Sequence, residues 1–70
     1  MFKSLKVGDK AWRRFAGPLQ CWRVTEVDES NNTVTLGMGW KFCRNCGAEI
    51  DEDLGWNCYR TVSYLENILQ

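Results

Sequence analysis

Histidine is absent from this chain of 70 residues, proline occurs once, and the formal charges sum to zero. Without histidine the side chain most used as a general base, and most used as a metal ligand, is missing. No serine stands in a nucleophile-and-base arrangement and no glycine-rich loop of the phosphate-cradling kind occurs. Hydrolase, kinase and nucleotide-binding readings therefore lack their parts, and the chain reads as non-enzymatic. No apolar run approaches the ~18–20 residues of a membrane helix. Met1-Phe2-Lys3-Ser4-Leu5-Lys6 has no continuous apolar stretch of the signal-peptide kind. A cytoplasmic protein with no membrane partner is expected, in which the four cysteines read as reduced thiols or metal ligands ahead of disulfides.

What the chain has in quantity is large aromatic side chains: four Trp, three Phe and two Tyr. Seventy residues make one domain, 1–70, close to the lower size at which a single core holds a fold, so bulky residues must supply much of that core. Charge is unevenly placed. Lys3, Lys6, Lys10, Arg13, Arg14 and Arg23 face only Asp9 within residues 1–25, whereas residues 26–56 carry seven acids against Lys41 and Arg44. Such halves can neutralise each other within one fold or between two copies. They do not make the strongly basic domain of a general nucleic-acid binder.

Periodicity points to strands. Ala11-Trp12-Arg13-Arg14-Phe15 suits a strand after the turn at Gly8-Asp9, and Ala16-Gly17-Pro18 ends it. Gln20 to Val27 follows, its alternation shifted at Glu26-Val27 as by a bulge, and Asp28-Glu29-Ser30-Asn31-Asn32 supplies a hairpin turn. Val34, Leu36, Met38, Trp40 and Phe42 are apolar at a spacing of two, with Gly37 and Gly39 on the other face able to bend or split the strand. Cys43 to Gly47 is a loop and Ala48-Glu49-Ile50 a short strand. Asp51 to Trp56 is a polar turn whose Leu54 and Trp56 fold back. Residues 61–69 fit either an amphipathic helical turn capped by Ser63, carrying Tyr64, Leu65, Ile68 and Leu69, or an edge strand. The expected architecture is a small, strongly curved antiparallel barrel of the SH3-like type with about five strands.

Gly39-Trp40-Lys41-Phe42, Gly47-Ala48-Glu49-Ile50-Asp51-Glu52-Asp53-Leu54-Gly55-Trp56 and Ser63-Tyr64-Leu65 carry a resemblance, joined by Val7-Gly8-Asp9 and Val24-Thr25-Glu26-Val27. Over nearly its whole length the chain resembles a group of short uncharacterised bacterial proteins, of a kind also found among mobile gene cassettes. Their turn usually reads Asp-x-x-Thr-Gly where this chain has Cys43-Arg44-Asn45-Cys46-Gly47. The resemblance thus implies no shared metal, no activity and no site residues.

Three constellations remain. Cys43-x-x-Cys46-Gly47 is half of a zinc site, its glycine freeing the turn so that both sulfurs can face one ion. Cys21 and Cys58 are the only other soft candidates, each isolated, and the alternative is that they pack as small apolar residues. The acidic run Glu49, Asp51, Glu52, Asp53 is too short for a calcium loop and reads as a solvated turn. Trp12, Arg13, Arg14 and Trp56 are candidates for a partner-binding surface, whose occupant is a protein, a second copy or stacked single-stranded nucleic acid. The function expected first is an interaction module, self-associating or not. A zinc-stabilised structural module and a nucleic-acid-binding barrel are the alternatives.

Overall fold

The computed structural model describes residues 2–66. Six strands form: β1 (Lys10–Phe15), β2 (Leu19–Asp28), β3 (Thr33–Leu36), β4 (Trp40–Cys43), β5 (Glu49–Ile50) and β6 (Ser63–Glu66). All neighbours pair antiparallel in the order β5-β4-β3-β2-β1-β6. A bridge between Ala48 and Tyr64 brings the two ends together, leaving a nearly closed barrel. The small curved barrel expected from the sequence is present, with six strands where about five were expected and no helix among the described residues.

Two differences have local causes. The period-two run 34–42 is cut into β3 and β4 because Gly37 and Gly39 take positive φ of 54° and 122°. They form a tight turn that lifts Met38 out to 86% exposure, off the apolar face where alternation alone puts it. The last segment resolves as strand over Ser63–Glu66, pairing Leu65 with Arg13 and Tyr64 with Arg14. Ile68 and Leu69, the rest of the expected helical turn, lie outside the described residues. The bulge falls between Val24 and Glu26, and Asn32, at φ 56°, makes the β2–β3 turn with Asp28 accepting from the Asn31 N–H at 3.1 Å.

Val24, Val34, Leu36, Phe42 and Leu65 pack the interior with Ala11 and Phe2, and Trp22 and Trp40 cover them edge to face at 4.7 Å. Trp40 is half-buried, at the margin of the core and not at its centre. Phe2 reaches in from the N-terminal segment, its N–H donating to the Arg44 carbonyl at 2.9 Å. One consequence falls on Gly47, which has φ 83°; a Cβ there would meet the Phe2 ring at 2.6 Å. Gly47→Ala is expected to destabilise by about 2–3 kcal/mol, from the left-handed backbone and the displaced ring together. Urea unfolding of G47A and G55A compares them, because Gly55 has open space around it and gives the backbone part alone.

Arg13 is the largest departure from expectation. Its sequence context suits a binding surface, yet it is only 5% exposed. Its parity with Ala11 turns it into the barrel. There Nε donates to Ser63 Oγ at 2.8 Å, Nη2 to Glu49 Oε1 at 2.9 Å and Nη1 to Gln20 Oε1 at 3.3 Å, under the Trp40 ring at 4.4 Å. One guanidinium thus ties β1, β2, β5 and β6 together. An interior this small is apolar where Phe42 and Leu36 sit but keeps a charge, and each branch of the charge is satisfied.

Candidate metal centre

The site is assembled by two turns. Cys43 closes β4, and Gly47 N–H donates to the Cys43 carbonyl at 2.8 Å while Cys43 N–H donates to Ala48 at 2.9 Å, so the chain doubles back and returns Cys46 beside Cys43. After β5 a second excursion begins. Asp51 Oδ1 accepts from the N–H groups of Asp53 and Leu54, turning the chain, and Asp51 and Trp56 then exchange backbone bonds of 3.0 and 2.9 Å. Trp56 packs against Phe15 with ring centroids 6.2 Å apart. Two residues further on, Cys58 arrives over the first turn.

The outcome is a cluster the sequence did not display. Sγ of Cys43, Cys46 and Cys58 all lie within 4.8 Å of one another, and those of Cys46 and Cys58 are 2.9 Å apart. A tetrahedral ion with metal–sulfur bonds of ~2.3 Å needs sulfurs about 3.8 Å apart, so the set reaches that geometry by shifts of less than about 1 Å. Cys43 is half-buried and the other two are exposed, so the cluster opens to solvent on one side. Among the described residues no further thiol and no carboxylate oxygen joins the three. Cys21, on the outward face of β2, stays outside the cluster.

The thiols are electrostatically unequal. Burial pushes the Cys43 thiol up, but the N–H groups of Cys46 and Asn45 and the two neighbouring thiols stabilise its thiolate more, and its pKa ends below the ordinary value. Cys58 is pushed up to about 12, first by its hydrogen bond to Cys46, then by burial and by Cys43. Of these two thiols, Cys43 is therefore the one that gives up its proton more readily.

Thiols this close also have an oxidative chemistry. Hydrogen peroxide is expected to leave Cys46 joined to Cys58, the pair 2.9 Å apart, once a first link made at the Cys43 thiolate has exchanged within the cluster: overall two thiols give up two electrons and two protons, and peroxide leaves as two waters. Alkylation followed by peptide mass mapping checks this. Recovery of a Cys43–Cys46 linkage as the main product would contradict the geometry.

The other candidates are dispersed. Trp12 is half-buried on the outer face of β1, opposite Cys21, and Trp56 is half-buried against Phe15, so the two do not form one surface. Arg14 points outward and is engaged, with Nε on Glu66 Oε1 and Nη1 on the Gly17 carbonyl, both at 2.6 Å. With Arg13 inside the barrel, the paired-arginine face drawn from sequence does not exist. In the sequence Cys58 is an isolated cysteine. The signal that finds it is the folding-back of Asp51 to Trp56, which carries the next residues to the Cys43–Cys46 turn.

No family model, no curated protein and no solved structure matches this chain.

Proposed function

We propose that this chain is a non-enzymatic β-barrel binding module in which one thiophilic divalent ion, zinc foremost, is held by Cys43, Cys46 and Cys58 and fixes the excursion between β5 and β6. The observation that carries the reading is the convergence of three thiols from two separate turns. Sulfur donors select zinc and other soft ions over calcium or magnesium. The need is visible in the fold as well: residues 52–60 are exposed apart from Trp56, and little besides the Asp51–Trp56 bonds and the Phe15 contact holds them. An ion there pins to the barrel the segment that presents Leu54, Trp56 and Tyr59. Apolar surface on a fixed loop is what a protein partner can bind.

Titration with Co²⁺ tests the assignment through the thiolate-to-cobalt absorption, with saturation expected at one ion per chain. Changing an outer-shell partner of a metal site already costs ~10–100-fold in affinity. Losing a ligand, in Cys43→Ser, Cys46→Ser or Cys58→Ser, is expected to cost at least about a hundredfold. A chain that takes up no cobalt, or whose uptake survives the loss of Cys58, contradicts the reading.

A further inference from the structure

A closed structural zinc site has four protein ligands, and this cluster provides three, with its open side towards solvent. The chain holds a fourth cysteine. Cys21 is exposed on the outward face of β2, cross-strand from Trp12, and is not used in its own copy's cluster.

The surroundings of the two groups are of opposite charge. Beside Cys21 the same outer face carries Lys10 and Arg23, paired with each other across the strands and both exposed. The nearby Asp9 carboxylate is turned instead to the Lys6 N–H at 2.9 Å. The excursion that brings Cys58 carries Asp51, Glu52 and Asp53 against Arg60, and three thiolates around a divalent ion add a further net negative charge. A free thiol with Lys10 and Arg23 on one side, and the mutually neutralised Arg14 and Glu66 on the other, is complementary, in charge and in donor chemistry, to an acidic loop with an unfilled position on a soft ion.

Resting on the metal assignment above, we propose that the fourth ligand is Cys21 of a second copy, so that zinc joins two copies of this chain. As the zinc–sulfur bond forms, the Cys21 thiol gives its proton to water; nothing is oxidised or reduced. If each copy donates its Cys21 and receives the other's, the exchange closes at two copies with two-fold symmetry.

Light scattering with and without one equivalent of zinc, on the wild-type chain and on Cys21→Ser, decides the matter. Cys21 is exposed, so the serine variant keeps the fold. The expected result is a metal-free monomer that associates on adding zinc, and a Cys21→Ser chain that still binds one zinc through its three remaining thiols, with weaker affinity, yet stays monomeric. With Co²⁺ in place of zinc, a small monothiol added to Cys21→Ser is expected to restore the wild-type spectrum by filling the vacated position. Zinc bound one per chain to a wild-type monomer would overturn this proposal and leave the metal site standing. Association that persists without Cys21 would overturn it too. Failure to bind zinc at all would remove both readings together.

Discussion

Glu49→Ala is expected to remove about 3–5 kcal/mol of folding stability, the cost of leaving a buried charge without its partner. Arg13 and Glu49 are 7% and 3% exposed in their side chains and meet at 2.9 Å. With Glu49 gone the guanidinium keeps only neutral acceptors, Ser63 Oγ and Gln20 Oε1, inside the barrel. A domain of this size has a total of roughly 4–10 kcal/mol. Much of the E49A population should therefore be unfolded in water. The pair is expected to add little net stability, because apolar residues of similar volume avoid the desolvation both charges suffer. Arg13→Met combined with Glu49→Leu is accordingly expected to be far more stable than either single variant. Urea unfolding of the three proteins measures this, and a loss below about 1 kcal/mol for E49A would mean that the charge is not sealed in the barrel.

Added zinc is expected to give the second large effect. An ion that binds only the folded chain stabilises it by about 4 kcal/mol at a free concentration a thousand times its Kd. For a domain of 60–100 residues that corresponds to a rise in Tm on the order of 15–30 °C. A chelator should reverse the rise. Cys58→Ser should abolish it while leaving the metal-free Tm close to that of the wild type, since Cys58 is exposed and outside the core cluster. In this respect the barrel differs from a small zinc finger, which is unfolded without its ion. Its Phe42, Leu36 and Val34 core is complete whether or not the loop is pinned. A metal-free protein that failed to fold would contradict that division of labour.

Strand positions are readable because apolar alternation and turn residues are local signals: β1, β2, the turn expected at 28–32 and the loop expected at 43–47 all lie within a residue of where the pattern puts them, with Asp28 and Cys43 still in their strands. What alternation cannot show is how a strand ends. Met38 keeps the parity of Leu36 and Trp40, but two glycines at positive φ make it a turn residue. Nor does it reveal long-range satisfaction of polar groups. Arg13 looks like a surface cation until Glu49 and Ser63, 36 and 50 residues away, are brought to it by barrel closure. Half of the thiol cluster is visible in the sequence as Cys43-x-x-Cys46. Its third member is not, since Cys58 reaches the cluster only through the fold of the 51–56 excursion. The burial of Phe2 is illegible for a similar reason: a lone aromatic in a polar segment carries no period, and its place against Gly47 and Arg44 is a tertiary matter.

The most direct test of the central claim is the metal content of the chain after purification in metal-free buffer, a reductant, and one added equivalent of zinc, with free ion removed by gel filtration. One zinc per chain in the wild type, and none retained by Cys58→Ser, is the predicted result. A folded wild-type protein that leaves the column without zinc would show that Cys43, Cys46 and Cys58 are neighbours and nothing more.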